Sequence, residues 1–395
     1  MDTSALPPSH LLRQTADYTE HLPHFFLTLN KPMPQSTPDD RLLSPRLRSL
    51  CSGGLRHIAS GSVSDVYKTL YRGRPAALKV IRCGLDLNRL YRAMRECTML
   101  ELVRGCYGVV PLLEYDVQRT DEGFRVLILQ DYLTPLDEYC LCSPMTVKNA
   151  LRITRDLCRT LGSCWDAGVA HLDIQPGNLF VSPDGTAMLG DFSSALPVEE
   201  LKGVRHLRGT PAYMAPEVYR EHRYSQASEV YSLGLILYSL LCGGQLPFTS
   251  EVSLKEAAER RLAGAPFRLP EGFDGTLRAF LDWVCARDPA NRCPSLQQMS
   301  LALEELIRTC SPAAPVIPAC AHFSHSDTTL IQSALCGGTV FPEEDGFADF
   351  ATSRLPPRTP DFFTDTLDPQ DDWLDDIAAS VPAPFCETLP DHDTP

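Results

Sequence analysis

The sequence has no long hydrophobic run. Its longest apolar stretch, Leu233–Leu241, falls short of the roughly 20 residues that cross a bilayer as a helix. No basic patch followed by an apolar segment opens the chain, so no secretory signal is expected. The 15 cysteines, scattered from Cys51 to Cys386, contain no C-x-x-C pair. An odd number of unpatterned cysteines in a chain of 395 residues points to reduced thiols in a cytoplasmic compartment rather than a disulfide framework. Positive charge is also scarce, with a net charge of −14. That excludes the basic face a nucleic-acid binder needs. These absences set aside a membrane, nucleic-acid-binding or disulfide-stapled protein.

What is present is unevenly distributed. Residues 311–395 contain no lysine, 2 of the 36 basic residues, 15 of the 50 acidic ones and 12 prolines. The body keeps 34 basic and 35 acidic residues and is nearly neutral. The expected organisation is an N-terminal extension over 1–50, a folded domain over 51–310 and an acidic, Pro-rich, disordered tail over 311–395. Cys320, His322 and His325 lie close together in the tail and are read as a chance cluster.

Within the extension one helix is expected around Leu11–Leu22. In the body, His57–Thr69, Ala76–Ile81, Val109–Tyr115 and Arg125–Leu129 read as strands, and Leu90–Val103 as a helix. After Leu133 the pattern becomes helical. Ser143 and Pro144 form a candidate cap and first turn. Further helices are expected over Glu229–Leu241, Ser253–Leu262, Gly275–Ala286 and Ser295–Thr309. Strands first and helices later predict an α+β fold of two lobes, the smaller rich in β-structure and the larger helical.

Five pieces with chemical content stand in a fixed order. The first is Ile58-Ala59-Ser60-Gly61-Ser62-Val63-Ser64-Asp65-Val66-Tyr67-Lys68, between two strand halves. Ala77-Leu78-Lys79-Val80 follows, and then Glu96 inside a helix. The fourth is His171-Leu172-Asp173-Ile174-Gln175-Pro176-Gly177-Asn178. Asp191-Phe192-Ser193 precedes Gly209-Thr210-Pro211-Ala212-Tyr213-Met214-Ala215-Pro216-Glu217. The ordered set resembles the eukaryotic-type protein kinase family, Ser/Thr kinase-like, over about Leu55–Leu306.

The resemblance implies a bilobal fold, ATP and Mg²⁺ as cofactors, and Ser or Thr hydroxyls of proteins as substrates. Phosphoryl transfer needs positioning and charge neutralisation more than covalent help. Lys79 then matches the residue that holds the α- and β-phosphates, and Glu96 the one that steers it. Asp173 matches the acceptor of the substrate proton, and Asn178 and Asp191 the Mg²⁺ ligands. Ala59, Gly61, Ser64, Val66, Ala77, Gln130 and Asp131 complete the nucleotide site, with Gln130 at the gatekeeper position and Asp131-Tyr132 in the hinge. Thr210 is expected beside Asp173, Arg292 opposite Glu217, and His171 in a structural role.

Several positions depart from the family's pattern. Ala59 and Ser64 replace two glycines that let backbone approach phosphate, so looser nucleotide binding is expected. Leu172 replaces the arginine beside the catalytic aspartate, which weakens the case for activation by phosphorylation. Gln175 replaces a lysine at the transferred phosphoryl group, so a slower kcat is expected. Ser193 replaces a glycine that hinges the activation segment, and Glu229 an aspartate that braces the catalytic loop. Lys79, Glu96, Asp173, Asn178 and Asp191 are all present, which favours an active kinase over the alternative, a pseudokinase scaffold or adaptor. In the tail, Trp373, Leu374 and Ile377 share one helical face among acids, a candidate partner-docking segment.

Overall fold

Between Cys51 and Asp131 apolar residues alternate with polar ones, and the chain folds into five antiparallel strands. They are β1 (Cys51–Ser60), β2 (Ser64–Tyr71), β3 (Arg74–Gly84), β4 (Leu112–Thr120) and β5 (Gly123–Asp131), in the order β1-β2-β3-β5-β4. The computed structural model describes residues 42–310, apart from 62, 144, 250, 253, 270–272 and 274. All of these belong to one compact unit, Gln35–Ser353. The expected Leu11–Leu22 helix, Ser62 of the phosphate loop, Pro144, the Cys320–His325 cluster and the tail around Trp373 lie outside the described residues.

Period-two alternation sends side chains to two faces of this sheet. Leu78, Val80, Leu127 and Leu129 face a small core with Leu43 and Leu47, the latter on a short helix, α1 (Pro45–Leu50). Ile81, Cys83, Val126 and Ile128 face the main core and α2 (Leu87–Leu102). Lys79 pairs in register with Ile128, and its parity with Ile81 turns it toward α2. On α2 the residues Ala93, Glu96, Cys97 and Leu100 are buried at helical spacing. Asp86 caps the helix by accepting from Arg89 N–H at 3.0 Å.

The second lobe is mainly helical. It contains β6 (Thr134–Pro135), α3 (Leu136–Cys142), α4 (Val147–Asp166), β7 (Val169–Ala170), β8 (Leu179–Val181), β9 (Ala187–Leu189) and β10 (Leu196–Pro197). After these come α5 (Pro216–Glu221), α6 (Gln226–Leu241), α7 (Leu254–Ala263), α8 (Gly275–Val284) and α9 (Leu296–Thr309). Helix α4 packs against α6 and α9, and α8 packs against α6. Fully buried residues such as Leu151, Leu157, Leu161, Leu233 and Leu237 fill these contacts, each contributing about 1.5–3 kcal/mol through lost water contact. No helix among the described residues is long and apolar enough to cross a membrane.

The two-lobed α+β fold is as expected, while several boundaries differ. The two strand halves expected within His57–Thr69 meet at a break at Gly61, but the first begins earlier, at Cys51. The strand read from Val109 begins at Leu112, because Val109 and Val110 bridge to Leu189 in the large lobe instead. Ser143 is not the N-cap of α4; it ends α3, and Thr146 caps α4 by accepting from Asn149 N–H. Helix α6 starts earlier than Glu229, where Ser225 and Ser228 form a reciprocal capping box. The short helices α1, α3 and α5 lack enough turns to print a periodicity.

Candidate active site

Sheet register gathers the residues nearest Lys79. Val66 on β2 lies opposite both Ala59 on β1 and Lys79 on β3, and Ala77 lies opposite Gln130 on β5. Lys79 Nζ donates to Glu96 Oε1 at 2.7 Å and to Asp191 Oδ1 at 3.1 Å. Burial opposes the lysine charge, but the carboxylates of Asp191 and Glu96 outweigh it and raise the Lys79 pKa. Burial likewise pushes the Glu96 carboxyl up against the pull of Lys79. At Asp191 the Lys79 charge overcomes burial and lowers the pKa to about 2. One ammonium thus ties together β3, α2 and the start of the activation segment.

The Gly61 turn is held by its own backbone, with Gly61 N–H donating to the Ser64 carbonyl at 2.6 Å. None of Ala59, Gly61 and Ser64 sits in the left-handed region. Gln130 donates its amide N–H to the Val110 carbonyl at 3.2 Å. Asp131 N–H donates to the Pro111 carbonyl, and the Asp131 carboxylate lies 3.7 Å from Arg74.

The His171–Asn178 loop is braced from beneath. Glu229 Oε1 accepts from His171 N–H at 2.8 Å and Leu172 N–H at 3.1 Å, while Oε2 accepts from the Trp165 indole. Burial raises the Glu229 pKa. The His171 ring packs edge-on against Phe192 and its Nε2 bonds the Gly190 carbonyl at 3.0 Å. Its Nδ1 faces the Asp173 N–H at 3.3 Å, so the proton is assigned to Nε2. Histidine 171 is therefore a framework residue.

Two bulky backbones are strained here. Leu172 and Asp191 have φ of 67° and 54°, a region costing about 1–3 kcal/mol for such residues. Gly209 closes over the first: at its φ of 94° a Cβ would lie 2.2 Å from the Leu172 carbonyl oxygen. Only glycine fits. The next residue, Thr210, donates its hydroxyl to Asp173 Oδ1 at 2.7 Å, while the Gln175 amide reaches Asp173 Oδ2 at 3.3 Å. Burial raises the Asp173 pKa despite the Thr210 bond, the direction that makes a carboxylate a better proton acceptor. Ser193 avoids the left-handed region, and its N–H donates to Asp191 Oδ1 at 3.2 Å.

Asn178 donates its amide N–H to the Asp173 carbonyl at 2.9 Å, which turns the amide oxygen the other way. That oxygen and the Asp191 carboxylate are hard donors of the type Mg²⁺ takes, and the residues fit that ion. Among the described residues no three His, Cys, Asp or Glu cluster to hold a metal unaided. Two protein oxygens are a normal share for Mg²⁺, which completes its shell with waters and phosphates.

Below this centre, Arg292 makes a bidentate pair with Glu217 at 2.7 and 2.9 Å, as expected. Arg261, buried in the large lobe, donates to the Ala212 carbonyl of the Gly209–Glu217 stretch. Tyr224 hydroxyl accepts from Arg208 N–H and donates to its carbonyl. Sequence reading missed Trp165, Tyr224 and Arg261. Each acts on a backbone or side chain brought close only by folding, with no local signal to find it.

A protein kinase domain model matches residues 54–302. The chain belongs to the protein kinase family. Kinase relatives include CBL-interacting protein kinase 16 of Oryza sativa subsp. japonica, 31% identical over 269 residues covering 64% of this chain and 55% of that protein. Serine/threonine-protein kinase PknL of Mycobacterium tuberculosis is 30% identical over 270 residues, covering 63% and 64%. PknB from the same species is 27% identical over 298 residues, covering 72% and 46%. The chain spans about half to two thirds of the length of these curated relatives.

Proposed function

We propose that the protein is an ATP-dependent kinase that phosphorylates Ser and Thr hydroxyls of protein substrates. The single observation that carries this is the Lys79 ammonium held between Glu96 and Asp191, in a site where Asp173 is aligned by Thr210. Bound Mg²⁺-ATP would supply the transferable phosphoryl group and neutralise its charge, with Asn178 and Asp191 holding the ion. Lys79 would orient the phosphates, and Ala59, Gly61, Ser64, Val66, Ala77, Gln130 and Asp131 would line the nucleotide. Thr210 occupies one oxygen of Asp173 and leaves Oδ2 to accept the proton of the substrate hydroxyl. Gln175, already beside Oδ2, offers a neutral amide to the same region.

The test is phosphotransfer by purified protein with Mg²⁺-ATP, beside Asp173→Asn. Labelling of Ser or Thr that vanishes in the variant is expected. Equal labelling by both would trace the activity to a contaminant, and nucleotide-dependent thermal stabilisation without turnover would point to a scaffold. A cytoplasmic location is proposed on cysteines that form no disulfide among the described residues. The segment around Trp373 is proposed to dock a partner protein; Trp373→Ala should weaken capture of that partner, and unchanged capture would dismiss it.

A further inference from the structure

Arg95 and Glu96 are neighbours on α2 with different tasks. Glu96 is buried against Lys79, and Arg95 pairs with Glu200. Glu200 belongs to a 3₁₀ turn, Val198–Gly203, directly after β10. That strand pairs with β7, and Val198 N–H donates to the Gly168 carbonyl at 2.8 Å. The carboxylate is thereby fixed to the backbone that leads into His171. The Arg95–Glu200 pair therefore ties the helix carrying Glu96 to the large lobe beside the catalytic loop.

The corner around this pair is rich in arginine. Burial and the nearby charge of Arg95, with a smaller share from Arg92, lower the Arg208 pKa, and Glu200 opposes them. A set of arginines next to an activation segment is the arrangement that a phosphate on the segment orders in switchable kinases. Here the segment has nothing to phosphorylate in that region: Ala195–Gly209 contains no Ser, Thr or Tyr. Ser193 and Ser194 adjoin Asp191, where added negative charge would repel the carboxylate. Thr210 is bonded to Asp173, and Tyr213 is buried. Leu172 removes the arginine that would read such a phosphate from the catalytic loop.

We infer that Glu200 is a positioning residue that does permanently what a phosphate does by modification: it holds α2 where Glu96 meets Lys79. The kinase then needs no phosphorylation of its activation segment. This rests on the kinase reading above.

The experiment uses the full chain, produced with a co-expressed phosphatase and shown by intact mass to carry no phosphate. The phosphate-free wild type should match the rate of the untreated protein. Glu200→Gln should lower kcat about fivefold, the scale of losing one partly exposed ion pair, with the KM for ATP nearly unchanged. The charge-reversed Arg95→Glu/Glu200→Arg pair should recover most of that loss, which a merely structural role would not predict. Hydrogen exchange over α2 should be faster in Glu200→Gln and slow again in the reversed pair, at an unchanged Tm. Wild-type kcat in Glu200→Gln, or loss of wild-type activity on phosphatase treatment, would overturn the inference. A wild type without any phosphotransfer would instead refute the kinase reading. The tie would then be decided by exchange alone, faster exchange restored by charge reversal supporting it and unchanged exchange overturning it.

Discussion

The turn that joins β1 to β2 lies on a strand exposed over most of its length, whereas the loop from His171 to Asn178 is packed into the large lobe, with His171, Ile174 and Asn178 all buried. The first has lost two of the family's three glycines, and the second keeps its aspartate and asparagine. On the proposed reading the turn presents backbone to nucleotide, and backbone can be presented by several residues once the turn closes on itself, as Gly61 N–H does on Ser64. The buried loop presents charge. On that reading Asp173 is a carboxylate that accepts a proton and has no neutral substitute, and the supports beneath it, Glu229 and Gly209, are placed to within a hydrogen bond or a single Cβ. The family's pattern is thus relaxed at the turn, where geometry can be reached in more than one way, while the buried loop keeps Asp173 and Asn178 even though Leu172 and Gln175 have given up two flanking charges.

The largest effect that would sharpen this contrast is at Asp173. Asp173→Asn should lower kcat by about 10³-fold with little change in the KM for ATP, measured by steady-state phosphotransfer. A loss below about tenfold would mean that the buried loop is as tolerant as the exposed turn. Next is the support furthest from the chemistry. Arg292 and Glu217 are 0% and 5% exposed, so Arg292→Leu leaves a buried carboxylate unpaired and should cost about 3–5 kcal/mol in chemical unfolding. An exposed pair such as Arg308–Glu305 should show almost none of this when broken.

How much of this was readable beforehand differs by the kind of contact. Lys79 and Glu96 were legible because each falls at the place the family's ordered motifs give it, on a strand and a helix that local patterns had already marked. The two lobes were legible because strands precede helices along the chain, and the Glu217–Arg292 pair from the family resemblance. Ser143 was misread as a cap because Thr146, three residues on, offers the same side-chain chemistry; only the N–H it meets decides between them. Glu200 was invisible: it lies 105 residues from Arg95, in a stretch with no regular period. Trp165 and Glu229 are separated by 64 residues, and nothing in either neighbourhood announces the other.

A smaller effect concerns acid. Asp191 is lowered from 3.8 to about 2 because Lys79 overcomes the cost of burial. A carboxylate with a depressed folded-state pKa contributes stability that is fully present above its unfolded value and is lost as pH falls through the folded one. The contribution should therefore hold above about pH 4 and fade toward pH 2. It amounts to about 1 kcal/mol once solvent screening at a side chain 39% exposed is allowed for. Urea unfolding between pH 6 and about pH 2 should show Asp191→Asn losing less stability on acidification than the wild type. Parallel curves would place the charge of Asp191 outside the Lys79 pair.

The smallest expected effect is at the exposed turn itself, and its sign is informative. The family's glycines at positions 59 and 64 suggest that restoring them would improve nucleotide binding. In this structure, however, Ala59, Gly61 and Ser64 all keep ordinary backbone angles, so Ser64→Gly relieves no strain. A Cβ on Gly61 would lie 3.4 Å from both the carbonyl oxygen and the hydroxyl of Ser64, ordinary van der Waals contact, so the turn is not pressed for space. The substitution instead frees a residue that must be ordered when the loop closes, at a cost of about 0.5–1 kcal/mol. The KM for ATP should rise about two- to fivefold, what that cost predicts, with kcat unchanged. If the KM falls instead, the loop closes on nucleotide through a left-handed turn that serine resists, and the tolerance attributed to the exposed turn is a property of this conformation alone.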